Sequence, residues 1–425
     1  MDKKRIAFFQ EDLGPGGIQK SLFNLLRNLD YDRVDAELFL FEEGCFFEGE
    51  LPAALTVRVL PPPPRPYSFM PFETARKLWK VDWAQYGEYD LAADFNSYQF
   101  ACAAGTLGVN AKKRVMWIHN NVEIKLANEW KYRVLWHFFR GKFPFYDGFV
   151  PCSPALWEPF ARLSGRGGAE HRVIANYIDV SEIRRKQAET AELPPDLEET
   201  VNFAALGKLC HQKGYDLMIP LFAACCRERE DLRLFIIGDG PDRAALEQLA
   251  GQEAPGRIVF LGARPNPYAV LDRMDAFLST SRYEGQPLNI EEARVVGLPI
   301  YCSKNLEKYS EGLHGLEEED LKAAILTARK GQKHPDDLAE YNRRILESIY
   351  DLACLKISKK QRPQPGKASP AAVLVVCKFV YTTTSSPSRA STVMVLPALM
   401  SPRRIVRATR VSTLLCSTRR RGLAP

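Results

Sequence analysis

Twice along this chain, short apolar runs alternate with amphipathic stretches, first over residues 5–152 and again over 201–296. No other feature restricts the fold as much. A run of a few apolar residues that passes through a loop into a helix, and then repeats, is the pattern of βα units. Their parallel strands are buried on both faces by the crossover helices. A polar stretch at 181–200, with Pro194 and Pro195, separates the two series. Two such series around a linker near residue 185 predict two facing α/β domains with a cleft between them.

In the first series, strands are expected at 5–9, 34–41, 57–60, 91–95, 114–118 and, as the last, 149–152, followed by Ser153 as a helix cap. A helix over 18–28 would bury Leu22, Leu25 and Leu26, and a small-residue helix follows near 99–107. Residues 61–66 read as a proline-rich surface loop. The second series predicts strands at 201–206, 232–237, 258–261 and 276–279. Helices are expected at 215–226, 242–249, 266–274 and 288–296. A final amphipathic helix over 336–352 carries Leu338, Tyr341, Ile345, Ile349 and Tyr350 as apolar positions. The divisions expected are therefore 1–183, 184–335, 336–354 and a tail, 355–425.

Net charge is a poor guide to partners here. The total is +6, yet residues 355–425 hold 14 Lys or Arg and no acid, so residues 1–354 carry 44 bases against 52 acids, a net of −8. The body is an acidic, enzyme-like chain, and nucleic acid is not expected as its partner. The tail, rich in Ser, Thr, Pro and Arg, reads either as a disordered basic extension or as sequence out of native frame. No run of about 18 apolar residues predicts a spanning helix, and residues 6–9 are a first strand rather than a leader. Ten cysteines lack any CxxC or Cys/His pair at metal spacing, which suits reduced, mostly buried thiols in the cytoplasm.

Polar chemistry concentrates in residues 279–299, STSRYEGQPLNIEEARVVGLP. Pro287 suits a helix start, because its missing N–H costs nothing there. A helix from about 288 puts Leu288 and Glu292 on one face. Its free amides form a seat for an anion such as a phosphate, with Glu284 above it and Glu292 one turn further in. Glu291 reads as a solvated acid. Near the N-terminus, Leu13, Gly14, Pro15, Gly16 and Gly17 link a strand to a helix, as phosphate-approach loops do. Gln19 breaks the dinucleotide fingerprint, and a tight turn explains the glycines equally well. His119 follows a strand, where ligands bind in open α/β sheets, or it satisfies loop carbonyls. Residues 129–149, with Trp130, Lys131, Arg133, Trp136 and Arg140, form either a core helix with a basic wet side or a surface for anionic membrane.

Over about residues 4–353 the chain resembles the retaining glycosyltransferases of family 4, within glycosyltransferase group 1. Glu284 and Glu292 match that family's acid–seven–acid motif. Gly207, Lys208 and Leu209 with Lys213 and Gly214, then 237–241, 260–262 with Asn266, Pro267 and Tyr268, then 176–179, and Gly16 with Gly17, match in support. The resemblance implies the GT-B fold: two Rossmann-like domains, an acceptor-binding 1–183 and a nucleotide-sugar-binding 184–335, with 336–354 packing back toward the first. It implies that Lys208 and Lys213 neutralise the donor diphosphate, Lys208 standing where the family usually has arginine and lacking the bidentate fork. Gly16 and Gly17 would admit amides to the phosphate. Glu292 would bind ribose, and Glu284 would lie over the sugar. Gly285, Gln286, Pro287, Leu288 and Asn289 would hold sugar and phosphate. Gly262 to Arg264 would border the base, and His119 would be the active-site histidine at the cleft.

The reaction so implied moves a sugar, with retention, from a UDP- or GDP-linked donor to a hydroxyl of a glycan or lipid-linked acceptor, in capsule or lipopolysaccharide synthesis. It would use no metal and no cofactor, at the inner membrane face. Three other readings are compatible with parts of the sequence. One is a nucleotide-sugar epimerase on the same fold, and another is a catalytically impaired GT-B subunit supporting a partner transferase. The third is a nicotinamide dehydrogenase, with Asp35 and Glu37 near ribose-binding distance from the glycine loop.

Overall fold

The computed structural model describes residues 3–47, 51–64, 67, 70–194 and 197–354. The expectations for the tail, and for Pro66 and Pro195, lie outside the described residues. Contacts divide the chain into Met1–Pro365, which holds both sheets, and Gly366–Pro425, which is outside the description.

The first sheet runs β3-β2-β1-β4-β5-β6-β7, all parallel. Its strands are β1 (Lys4–Phe9), β2 (Val34–Leu40), β3 (Thr56–Val59), β4 (Glu88–Asp94), β5 (Asn110–Ile118), β6 (Gly148–Pro151) and β7 (Glu170–His171). The second runs β10-β9-β8-β11-β12, also parallel, with β8 (Val201–Leu206), β9 (Leu232–Ile237), β10 (Ile258–Gly262), β11 (Ala276–Ser279) and β12 (Ile300–Cys302). Strand order reverses at β1/β4 and at β8/β11, and ligands of such sheets bind outside the strand ends at those points. Ile6, Ala7, Phe8 and Phe9 are all wholly buried. That explains why β1 is a continuous apolar run rather than an alternating one: helices cover both of its faces.

The helices of the first half are α1 (Gly17–Asn28), α2 (Phe72–Leu78), α3 (Phe100–Gly108), α4 (Val122–Asn128), α5 (Trp130–Phe139), α6 (Trp157–Ser164) and α7 (Val180–Gln187). Those of the second are α8 (Tyr215–Glu228), α9 (Arg243–Glu253), α10 (Pro267–Leu271), α11 (Leu288–Val296), α12 (Glu318–Thr327) and α13 (Ala339–Cys354). In α1, Leu22, Leu25 and Leu26 are buried as their spacing predicts, with Phe23 beside them. Each full burial stabilises by roughly 1.5–3 kcal/mol. None of the described helices is long and apolar enough to cross a membrane.

α13 packs on the first sheet. Its Ile345, Ile349 and Tyr350 share one core with Ile6, Phe8, Leu91 and Trp117. Arg33 holds Glu347 at 2.6 Å and lies over the Tyr350 ring. At the start of α13 the chain is stitched to the stretch before α7. Asn342 accepts from the Ile178 amide (3.2 Å) and donates to its carbonyl (2.7 Å), and the Tyr341 hydroxyl donates to the Asn176 carbonyl (3.0 Å).

Several local expectations differ from the structure, among them the helix expected over 266–274, which stops at Leu271, and the last helix, which starts at Ala339 rather than 336. β6 is not the last strand of its sheet, because β7 pairs beyond it. The polar stretch at 181–200 is not simply a linker: most of α7 lies in it, and α7 packs against α10 and α11. Position 183/184 falls inside that helix. Residues 129–149 are not one helix. α5 ends at Phe139 and a 3-10 segment follows, Arg140–Phe145, where Lys142 is buried against Asp94 (3.4 Å) and the Ser97 carbonyl (2.7 Å). One of the segment's bases therefore belongs to the core.

Candidate functional site between the two sheets

The loops after β1, β5, β8 and β11 converge, so both reversal points of strand order take part. After β8, Gly207 and the left-handed Gly214 (φ 67°) fold the loop back over β11; a side chain on Gly214 would strike the Thr280 carbonyl. The loop thereby delivers Lys213 Nζ to Glu284 Oε1 at 2.7 Å, while Gln212 reaches the other oxygen at 3.3 Å. Glu284 is 5% exposed, so this cation–carboxylate pair is shielded and strong. Lys208, by contrast, is exposed and makes no bond among the described residues.

α11 starts at Leu288, with Pro287 at its N-cap and the left-handed Gly297 (φ 95°) at its C-cap. Leu288 donates to the Gln286 carbonyl (3.0 Å), and Ile290 to Pro287 (3.0 Å). The amides of Gln286 and Asn289 have no partner among the described residues. The anion seat therefore offers these two N–H groups, fewer than the loop's sequence implies. The Asn289 side chain is committed to the Leu206 carbonyl (2.6 Å). Opposite stands the start of α1: a Cβ on Gly17 would lie 3.9 Å from the Leu288 side chain. The first residues of the two helices thus lie within van der Waals reach of each other, and helix N-termini favour an anion nearby.

Gly285 is the tightest contact between the halves. A Cβ there would sit 1.8 Å from the His119 carbonyl oxygen. The Gly285 carbonyl accepts from Ser153 Oγ (2.7 Å), and the Gln286 side chain accepts from the Asn176 amide (2.6 Å). Ser153 occupies a cap position as expected, but its hydroxyl reaches across the cleft instead of capping its own helix.

His119 is buried, tilted against the Phe95 ring at 4.7 Å, with Nε2 lacking any partner among the described residues. Burial pushes its pKa down to about 3, against a hydrogen bond to the Phe95 backbone. The imidazole is therefore neutral, and its free nitrogen can accept a hydroxyl proton in a hydrogen bond.

Glu292 is 5% exposed. Its Oε1 accepts from Lys20 Nζ (2.6 Å) and from the Tyr268 hydroxyl (3.1 Å), and Lys20 also reaches Tyr268. Burial pulls the Lys20 ammonium down, but the carboxylate outweighs it and holds the lysine above its ordinary pKa. Sequence reasoning missed Lys20 and gave Tyr268 no role. The one available signal was that Lys20 follows Gly17 by three, on the same helix face. Glu291 is corrected: it is 1% exposed, bonded to Ser310 and Arg294 (3.3 Å), and belongs to packing.

Gly262 and Arg264 lie at the end of β10, the outer strand of its sheet; Gly262 is half-buried and Arg264 exposed. Glu37, the dehydrogenase candidate, is held by Arg5 (2.6 Å) and Arg58 (2.8 Å), which leaves little for a ribose. Among the described residues no group of three His, Cys, Asp or Glu could hold a metal ion.

Residues 189–345 match the family described as Glycosyl transferases group 1. The chain is 26% identical over 330 residues to EpsF of Bacillus subtilis, whose name assigns it provisionally to the glycosyltransferases; the match covers 73% of this chain and 82% of that one. It is 29% identical over 150 residues to 2-deoxystreptamine glucosyltransferase of Streptomyces kanamyceticus, covering 32% and 38%. Against an uncharacterized glycosyltransferase of Methanocaldococcus jannaschii it is 24% identical, covering 30% and 32%. The chain thus spans about a third of the length of the last two relatives. In fold it is similar to Anabaena HepE in complex with UDP-glucose (TM-score 0.56, 19% identity, 82% of this chain and 99% of that). It is likewise similar to TarM of S. aureus (TM-score 0.58, 12% identity, 82% and 98%).

Proposed function

We propose that the protein, whose residues 189–345 match the family described as Glycosyl transferases group 1, moves a sugar from a nucleotide diphosphate sugar to a hydroxyl of a glycan or lipid-linked acceptor, with retention of configuration. One observation carries this reading: a single loop, 284–289, brings Glu284 with Lys213, the unpartnered amides of Gln286 and Asn289, and the start of α11 against the start of α1. That is a place for a diphosphate, with a carboxylate beside it and a second, Glu292, one turn on. In this reading Lys213 and Lys208 stabilise charge growing on the leaving diphosphate, together with the helix amides. No metal ion or cofactor is needed. Glu284 orients the sugar, and neutral His119 accepts a hydrogen bond from one of its hydroxyls. The leaving phosphate helps to take the acceptor's proton, on the face that the diphosphate leaves.

The exposed Trp130 (58%), Val134 (46%) and Phe145 (38%) lie among the exposed bases Lys131, Arg133 and Arg140. This surface supports peripheral contact with an anionic membrane face, where a lipid-linked acceptor would be found.

Thermal shift with UDP, GDP and their sugars tests the donor. Ligand at a hundred times its Kd should stabilise by about 2.7 kcal/mol, with EDTA present or absent. No shift with any nucleotide would sink the reading. NMR of the product's anomeric proton tests retention, and co-flotation with anionic but not neutral vesicles tests the membrane contact.

A further inference from the structure

Lys20 belongs to the half of the chain opposite the nucleotide-binding candidates, yet its ammonium ends on Glu292 Oε1, 2.6 Å away, beside the Tyr268 hydroxyl. Its side chain is 27% exposed, while Glu292 is nearly closed off. Both bonds fall on the same carboxylate oxygen. Oε2 accepts nothing among the described residues. A carboxylate pinned by one oxygen and free at the other is held in one orientation, and the free oxygen retains its lone pairs for a hydroxyl donor. The pin itself comes from across the cleft, one turn into the helix whose first residue faces Leu288.

We propose that Lys20 is a positioning residue for ribose: it fixes Glu292 so that the free oxygen meets the ribose hydroxyls, and it makes recognition of the ribose conditional on the two halves being closed. The inference rests on the nucleotide-sugar reading above. It assigns to residue 20 a share of a specificity that would otherwise lie wholly within residues 189–345. Lys20 need not touch the nucleotide, and the Glu292 side chain beside it holds its ammonium above the ordinary lysine range. The consequence is selective. Loss of Lys20 weakens binding through the ribose hydroxyls and leaves the contributions of base and phosphate largely intact.

The test compares whichever of UDP and GDP the full-length chain binds with its 2′,3′-dideoxy analogue, by calorimetry, in wild type, Lys20→Met, Lys20→Arg and Tyr268→Phe. Wild type should prefer the ribose form about tenfold or more, the value of one or two hydrogen bonds to a charged group. In Lys20→Met the preference should fall to within about twofold of unity, Lys20→Arg should restore part of it, and Tyr268→Phe should lose less than Lys20→Met. A Lys20→Met variant that weakens both nucleotides equally, keeping the preference, would overturn the proposal: Lys20 would then act on phosphate. Should Lys20→Met fail to fold, as judged by circular dichroism, Lys20→Gln takes its place, and an unchanged preference in that variant would also overturn the proposal. Absence of nucleotide binding by the wild type would instead defeat the donor reading itself, so the two failures are distinguishable.

Discussion

Gly285→Ala should open the cleft without unfolding either half. The added Cβ would meet the His119 carbonyl oxygen at 1.8 Å and Cys152 Sγ at 3.5 Å. To take the first distance from 1.8 to 3.0 Å, the shortest that real Cβ atoms tolerate, the two backbones must part by at least 1.2 Å. That separation carries the Ser153–Gly285 and Asn176–Gln286 bonds, now 2.7 and 2.6 Å, beyond hydrogen-bonding range. It strains the Lys20–Glu292 pair, also 2.6 Å, in the same direction. Two ordinary hydrogen bonds and one charged bond sum to roughly 4 kcal/mol, a shift of about a thousandfold toward the open cleft. Small-angle scattering should show a larger radius of gyration, and kcat for the donor found by thermal shift should fall by at least about a hundredfold. The melting temperature should fall by a few degrees as well, because the apolar cluster that holds Ile118, Cys152 and Leu156 also holds Ile290, Leu306 and Tyr309 of the other half. Gly251→Ala is the control: nothing lies within 4 Å of its Cβ, so scattering and kcat should be those of wild type. A Gly285→Ala protein with wild-type scattering and wild-type kcat would refute the reasoning.

Other perturbations read single features. Lys213→Ala strips Glu284 of its 2.7 Å partner and should lower kcat by about 10²–10³, as loss of one preorganised charge-stabilising group does; steady-state kinetics would show it. Lys208→Arg restores a bidentate fork to an exposed position and should tighten nucleotide binding by about three- to tenfold by calorimetry. Burial with Asp12 and Glu42 nearby pushes the Glu11 carboxyl up to about 7, against a bond from Gln99. A raised carboxyl pKa favours the folded state most below its ordinary value, and that contribution is lost as pH rises through about 7. Wild-type stability in urea should therefore decline between pH 5 and 8 by about 1 kcal/mol after allowance for solvent screening, and Glu11→Gln should flatten the decline. Because burial keeps His119 neutral, kcat/KM should show no inflection between pH 5 and 8 that His119→Asn removes.

Most of the architecture was legible because it is written locally. Apolar runs of four to six residues gave β1, β8, β9 and β11 nearly to the residue. Pro287 and Gly297 bracket α11 as N-cap and C-cap residues should. The pair Glu284 and Lys213 was also within reach, since both stand in loops at strand ends of one sheet. Contacts between the halves were not legible. Lys20 and Glu292 are 272 positions apart, and no period or spacing links them. Ser153 carries the same local signal whether it caps its helix or bonds Gly285. Glu291 and Glu292 are neighbours with opposite fates. Helical spacing puts Glu292 in line with Leu288, but only the arrival of Ser310, beside the bond from Arg294 of the same helix, shows that the other face of α11 is enclosed too.

The return of α13 to the first sheet has a mechanical consequence. The backbone passes between the lobes twice, before α7 and again before α13, and Asn342 and Tyr341 bind the two passages to each other through Ile178 and Asn176. A single ribbon would let the lobes swivel about its axis. Two ribbons fastened side by side permit bending and resist torsion. Any closing motion would then return Gly285 to the same carbonyl and Lys20 to the same carboxylate.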